Sequence, residues 1–491
     1  MIKASLKNMR KLIFMLLLSI SLYGQKHDNI WPMGYKYDSC NYYIDFTDSF
    51  EIVSQCLALD LIDLGSSAIC DSMGNLLFYT NGNRIADRNH QILPNGTGLN
   101  NNIHPYYVDG GYPAQTMFIP KPGSNELYYL FHIQWSGDSI SQVQPPINRF
   151  NCSLLDLTLN NGLGDLTQKN IQILDDTLTG FFDACKHANG IEWWILVPQW
   201  GYSNKYYRFL LTSDSLYGPF FQTLSHPNIS NVGLSDFSPD GKYYVHYQSS
   251  GDAHLYDFNR CTGELYYKQQ INSPTRSNLP CVSFSPSSRF LYLTNDTIAF
   301  QYDLQAVDIN ASRVTVAIYD GFQSPFYTNF FISQLAPNGK IYITSSNSTD
   351  RLHVIENPDS AGLACNFRQH AIVTPRYNGF SLPNFPHFRT PALPPGACDT
   401  TGVALLPVLK ERMKIYPNPS YNSRFKIAAT QSSPDYVQIQ DLLGRLLLQE
   451  AWDNAGSEKE IQLPLGAKGV YFVSVWKEGK LIGREKLIVL E

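Results

Sequence analysis

Eleven histidines, nine cysteines and a surplus of carboxylates give this 491-residue chain the raw material for metal binding or acid–base work, so spacing decides what it can do. No His-Glu-x-x-His, Gly-x-Ser-x-Gly, phosphate-binding loop or Gly-x-Gly-x-x-Gly before a helix is present. Gly233-Leu234-Ser235-Asp236 lacks the last glycine of a nucleophile elbow and lies on a strand, so Ser235 reads as structural. His187, His246, His254 and His353 fall in strands or turns of different units and would converge only if their registers agreed. Asp63, Asp183 and Asp236 stand in or just before strands at comparable places. A pair of such carboxylates could serve hydrolysis, but an Asp there more commonly ties a turn. The cysteines show no Cys-x-x-Cys or Cys/His spacing of a zinc site. The expectation is no catalytic residue, no cofactor and no metal.

Aromatic side chains offer a different chemistry. Trp193, Trp194 and Trp200, with Tyr106 and Tyr107, could form a rim on which sugar rings stack. Neighbours on a strand point to opposite faces, so Trp193 and Trp194 cannot both face a ligand, and at least one belongs between structural layers. The long insertion from Asn83 to Gln115 exceeds an ordinary hairpin and is the best candidate for a functional loop.

These residues must be positioned by strands. Ser238-Pro239-Asp240-Gly241 before YYVHYQ, Ser285-Pro286-Ser287-Ser288 before FLYLTN, and Ala336-Pro337-Asn338-Gly339 before IYITSS each spell a strand, a tight turn and a second strand. Proline presets φ early in the turn and Gly or Asn tolerates positive φ at its end. Looser copies occur around Gly74, Asn125 and Gly190, and the whole series repeats at about 50 residues, the period of a propeller blade. Ser288 lacks the usual glycine, which predicts a looser turn of another type. Third and fourth strands follow in each unit (AHLYDF then LYYKQQI, for example), making six blades explicit. A seventh is expected from both ends of the region: Ser381-Leu382-Pro383-Asn384-Phe385 as the inner strand, and runs near Met33–Tyr37, Tyr42–Phe46 and Glu51–Gln55 as the other three. Such a shared blade would remove an open edge.

Composition agrees with strands. Aromatics reach 13% and charged residues only 16%, so large cores are possible and global disorder is excluded. The net charge of -5, without a basic stripe, argues against nucleic-acid binding. Lys3, Lys7, Arg10 and Lys11 precede an apolar run from Leu12 to Leu22, which reads as a secretory signal peptide cut after Gly24, with no transmembrane segment after cleavage. Export permits disulfides, and the odd cysteine count leaves at least one thiol unpaired; the pairing is not readable.

Beyond a proline-rich stretch from Pro391 to Ala397, six runs (FKIAAT, YVQIQD, RLLLQE, KEIQLP, VYFVSVW, KLIVLE) crowd into the last 80 or so residues, suggesting a small antiparallel sandwich of about seven strands. Tyr416-Pro417-Asn418-Pro419, then Asp441-Leu442-Leu443-Gly444-Arg445, then Gly469-Val470-Tyr471-Phe472 and a closing Lys486–Val489 resemble the C-terminal sorting domain of type IX secretion cargo. The resemblance implies an Ig-like fold recognised by the translocon and its sorting peptidase, and an address role for Tyr416, Pro417, Asn418, Pro419, Gly444, Gly469 and Tyr471. Gly74–Gly82, Asn161–Leu166, Lys186–Gly190 with Trp193-Trp194, and Leu382–Phe385 resemble, more loosely, secreted WD-repeat-like propellers of bacteria that use this system. That family brings no catalytic residue.

The expected architecture is all-β: signal peptide 1–24, a seven-bladed β-propeller over 25–388, a linker over 389–411 and an Ig-like β-sandwich sorting domain over 412–491. The expected role is a secreted or cell-surface binding module for a glycan or protein ligand. The alternative is an extracellular hydrolase or lyase acting on glycans or peptides at the propeller's axial mouth.

Overall fold

The computed structural model describes residues 25–35, 40–59, 65–100, 116–135, 147–200, 203–224, 233–249, 251–273, 280–379, 382–398, 413–428, 434–441, 446–452, 458–464, 466–477 and 480–490. Within them, residues up to 378 form seven antiparallel sheets in chain order. Blade one holds Ile30–Met33, Asn41–Asp45 and Glu51–Gln55; blade two holds Ser67–Cys70, Leu76–Thr80 and Ile85–Asp87. Blade three runs through Thr116–Pro120, Leu127–Trp135, Ile147–Asp156 and Asp165–Leu178, and blade four through Asp183–Lys186, Trp193–Pro198, Lys205–Leu211 and Leu216–Thr223. Gly233–Phe237, Tyr243–Gln248, Asp252–Asn259 and Glu264–Asn272 make blade five, and Cys281–Phe284, Phe290–Thr294, Ile298–Asp303 and Val314–Ile318 make blade six. Ser333–Leu335, Ile341–Ile343, Thr349–Ile355 and Phe367–Asn378 complete blade seven. This is the seven-bladed propeller expected from the repeat.

Burial explains why the inner sequences are so apolar. All six residues of Tyr243–Gln248 are buried, because a second strand is covered on both faces by neighbouring blades. The outer strand Glu264–Asn272 has one face in solvent and mixes buried with exposed positions. Between blades seven and one, Tyr342 lies edge-on to Trp31 at 6.0 Å and stacks on Phe50 at 5.4 Å, which closes the ring with aromatic packing.

The repeated turn holds nearly everywhere. Gly241 N–H donates to Ser238 O at 2.7 Å and Gly339 N–H to Ala336 O at 2.9 Å, with φ of +71° and +77°. Ser288 departs from expectation: it keeps the same turn, donating to Ser285 O at 2.8 Å with φ of +61°. Its hydroxyl accepts a hydrogen bond from Asp240 N at 3.1 Å, so a serine bridges two blades where glycine could not. In blade three the left-handed residue is Gly123, two positions before Asn125.

The expected shared blade is replaced by something else. Blade one consists of N-terminal strands alone, and Leu382–Phe385 carries no ladder; residue 381 is outside the described residues. Pro383 and Pro386 lack the N–H a ladder needs, and this is the physical reason. The segment instead runs inside the ring. Asn384 N–H donates to Ser66 O and its carbonyl accepts from Ser67 Oγ, while its amide reaches Thr116 O, all where the inner strands of blades two and three begin. Phe385 stacks on Trp31, and Phe388 packs against His27 and Trp193. Arg389 then forms a bidentate pair with Asp28 at 2.7 and 2.8 Å. Pro391 O accepts from Arg260 at 2.7 Å, and Leu393 N–H donates to Ala188 O, at the opposite end where the inner hairpins turn. The chain therefore passes along the propeller axis from one face to the other.

Two disulfides secure this arrangement. Cys40–Cys56 closes the end of the second hairpin of blade one, and Cys261–Cys398 staples the emerging segment to blade five. Residues 389–398, expected to belong to a linker, are thus held to the ring. Cys70, Cys152, Cys185, Cys281 and Cys365 are free and buried.

The C-terminal region forms two sheets of its own. Lys414–Tyr416, Arg424–Ala428 and Glu458–Gln462 make one; Leu446–Ala451, Tyr436–Asp441, Gly469–Lys477 and Lys480–Val489 make the other. Phe425, Ile427, Val437, Ile439, Val473 and Leu487 fill the space between them.

Candidate functional site

The inner strands of blades four and five bring Asp183 and Asp236 to the axis, and the axial segment brings His387 between them. Asp183 accepts from Ala184 N at 2.7 Å and from Phe237 N at 3.1 Å, tying blade four to blade five. Asp236 accepts from the backbone of Phe284 and so ties blade five to blade six. His387 Nε2 lies 3.3 Å from Asp236 Oδ1, with 14% and 22% of the two side chains exposed. Burial holds the Asp183 carboxyl well above its usual range, helped by the neighbouring charge of Asp236. Burial also raises Asp236, with His387 opposing. For His387, burial alone would lower the pKa, but the two facing carboxylates outweigh it and the net shift is upward.

This cluster of perturbed ionisable groups lies at the axis. Its carboxylates are nevertheless committed: each accepts backbone N–H groups from its own or the next blade. The sequence placed Asp183 and Asp236 at comparable positions as turn ties, and the structure makes them ties between blades. Asp63 lies outside the described residues. His387 was missed, although a histidine beside two prolines in Leu382-Pro383-Asn384-Phe385-Pro386-His387 was the available signal.

Beyond the cluster, two buried cations, Arg260 and Lys186, lie where the segment emerges. Arg260 donates to four carbonyls, those of Lys186, His187, Asp240 and Pro391. Lys186 is pushed down to about 8 by burial and by the nearby Arg260 charge, and its ammonium bonds Gln25 Oε1 at 2.8 Å.

The other histidines do not converge. His246 packs on Phe181 and pairs in register with His254, His353 lies against Phe330, and His187 sits in a hairpin turn near Glu192. Among the described residues no group of three or more His, Cys, Asp or Glu side chains is placed to hold a metal ion.

The aromatic rim is not assembled. Trp193 is 2% exposed and Trp194 4%, so neither offers a ring face to a ligand. Trp193 lies against Phe388 and under Lys186, while Trp194 sits between blades and donates from its indole to Arg260 O. Strand two of a blade is covered on both faces, so adjacent residues both become buried. Trp200 is half-buried two residues beyond the strand Trp193–Pro198, and Tyr106 and Tyr107 lie outside the described residues. Part of the insertion that begins at Asn83 is structural: Ile85–Asp87 is a strand, and Asn95 bonds Asp165 of blade three through backbone and side chain.

The sorting-motif residues build the tail's own fold. Asn418 accepts from Ile488 N at 2.9 Å and donates to Lys486 O, clamping the final strand against the Tyr416–Pro419 turn. Tyr416 is exposed at the edge strand, Pro417 and Pro419 flank the clamp, and Ser420 bonds Ile488 and Leu490. Gly469 has φ of +121° at the start of the strand that carries buried Tyr471, whose hydroxyl donates to Lys468 O. Gly444 lies outside the described residues.

Residues 414–490 match the secretion system C-terminal sorting domain family. This identifies the tail as a type IX sorting domain, which directs the chain outside the cell or to the outer-membrane surface and implies contact with the secretion system. No helix among the described residues is long and apolar enough to cross a membrane. No curated protein matches the sequence. Among solved structures, a Bacteroides fragilis protein named as a candidate 6-phosphogluconolactonase is similar at 11% identity, covering 73% of this chain and 99% of that one, with a TM-score of 0.44. The periplasmic gluconolactonase of Pseudomonas aeruginosa is similar at 14% identity, 72% and 98% coverage and a TM-score of 0.42. A Myceliophthora thermophila β-propeller domain is similar at 8% identity, 65% and 93% coverage and a TM-score of 0.35. Likeness at this distance carries no chemistry over to this chain.

Proposed function

We propose that this exported protein is a binding module that works outside the cell: a ring over 25–388 presents ligand-binding surface, a connector over 389–411 leads out of it, and the tail over 412–491 serves only delivery, after a signal peptide over 1–24 has been removed. The observation that supports this most is the axial passage of residues 382–393. The axis is where a propeller commonly gathers a reaction centre, and here the chain itself fills it. A ligand would then meet the faces and flanks of the ring. Purified protein should bind a surface polysaccharide or protein from its surroundings saturably and leave it chemically unchanged.

A second reading, a hydrolase or lyase at the axial mouth, is favoured by one observation, the raised protonation of Asp183, Asp236 and His387. Turnover of a glycan or peptide that disappears in Asp236→Asn, with folding intact, would establish that reading and overturn the first.

A further inference from the structure

A glutamine at the front of a chain can close on itself. Its α-amino nitrogen attacks the side-chain carbonyl carbon Cδ, the Cδ–Nε2 bond breaks, and ammonia leaves with the proton; the product is a five-membered lactam, made without an oxidant or a second substrate. Negative charge gathers on Oε1 as the new bond forms, so a cation fixed on that oxygen lowers the barrier. Gln25 becomes the first residue once the signal peptide proposed above is cut after Gly24. Its Oε1 already accepts from the Lys186 ammonium at 2.8 Å.

Lys186 ends the inner strand of blade four, is 5% exposed and lies 5.5 Å from the centre of the Trp193 ring, so its charge sits where water screens it little. Gln25, by contrast, is exposed and lies outside any strand, so its backbone is not tied into a ladder. Charge also gives the closure a direction. Arg260 and Arg389 stand near Lys186, and Asp28 is already paired with Arg389. A free α-ammonium on residue 25 would add another cation to this group; the lactam removes it and keeps the carbonyl that Lys186 grips. We infer that the mature chain closes its own N-terminus into pyroglutamate, with Lys186 holding the charge that develops on Oε1. The step needs a neutral α-amine, whose ordinary pKa is about 8, and a charged Lys186, which burial and the Arg260 and Arg389 charges push down to about 8. Its rate should therefore rise and then fall around pH 8. His27 and Cys185, the other titratable groups that bear on Lys186, stay neutral there, because burial pushes the imidazole down and the thiol up to about 12.

The test uses the chain from Gln25 to Glu491, released from a fusion partner by a protease that leaves Gln25 first, with closure followed by mass spectrometry of the N-terminal peptide. Folded protein should close about tenfold or more faster than the same chain in urea. Lys186→Met should close at the unfolded rate. Lys186→Arg, whose guanidinium stays charged, should keep part of the acceleration and lose the fall in rate at alkaline pH, a change of profile that a merely structural lysine would not produce. Equal rates in folded and unfolded chains, a Lys186→Met chain as fast as the natural one, or a free amine on Gln25 in protein exported by its host would each overturn the inference. Those results leave the signal cut and the binding-module function standing, whereas an exported chain that begins at another residue would overturn the cut after Gly24 as well.

Discussion

Replacing Gly241 by Ala should destabilise the ring far more than replacing Gly339 by Ala, although the two residues close equivalent turns. Both sit at positive φ, +71° and +77°, so each substitution carries the left-handed penalty of about 1–2 kcal/mol. The difference comes from what the new methyl meets. At Gly339 the nearest atom is Pro286 Cγ at 3.8 Å, an ordinary contact. At Gly241 it would lie 2.7 Å from Arg260 Cδ and 2.8 Å from Cys185 Sγ. Overpacking of that kind adds about 1–3 kcal/mol. It also displaces the guanidinium that holds Pro391 O and hence the axial segment, and hydrogen bonds of a charged donor contribute about 1.5–3 kcal/mol each. Gly241→Ala should therefore cost about 2.5–6 kcal/mol more than Gly339→Ala. Ser288→Gly should fall near neutral, since relief of the φ +61° strain offsets loss of the bond from Asp240 N. Urea unfolding followed by near-ultraviolet circular dichroism measures all three. Equal losses for Gly241→Ala and Gly339→Ala would refute the packing of Arg260 against the turn.

Replacing His387 by Gln should make stability less dependent on pH. The folded pKa of His387 is raised, so its contribution is whole below the unfolded value of 6.5 and fades as pH rises through the folded value; Asp183 and Asp236, also raised, likewise favour the fold at acid pH and lose that effect as pH rises. The gap between natural protein and variant, at most about 3–5 kcal/mol, the cost of breaking a buried pair, should peak where the imidazole is protonated and the carboxylates ionised, then narrow towards pH 9; thermal melts giving a constant gap from pH 5 to 9 would contradict this. Converting Cys261 and Cys398 to Ser should cost about 2–5 kcal/mol, because the bond spans 137 residues, and an unchanged unfolding midpoint would show that the segment is held by its other contacts alone.

The repeat was legible because each blade turns in the same way between its first and second strands, and Pro, Asn and Gly mark that turn wherever a glycine is used. Ser288 showed the limit: its conformation is set by a hydrogen bond to another blade, about which local spelling is silent. The buried tryptophans follow the same logic. A continuous run such as IEWWILV signals a strand covered on both faces, and weighing that pattern above the stacking chemistry would have removed Trp193 and Trp194 from the rim. Closure of the ring was harder to read. Leu382–Phe385 was recognised as belonging inside, but Pro383 and the following Pro386 disfavour a ladder, and only the three-dimensional ring shows that the segment lies on the axis with His387 facing Asp236. The tail, by contrast, was readable in nearly every strand because its motif residues, Asn418 above all, also hold its fold together.

Hydrogen exchange of the peptide covering residues 382–393, followed by mass spectrometry, tests the central claim that the chain fills its own axis. Asn384 donates its amide to Ser66 inside the ring, and Leu393 donates to Ala188 at the face where the segment emerges. Their amides should be protected to the same degree as those of the inner strand Gly233–Phe237. Complete exchange within seconds, while that strand stays protected, would mean the axis is open and would return it to consideration as a reaction centre.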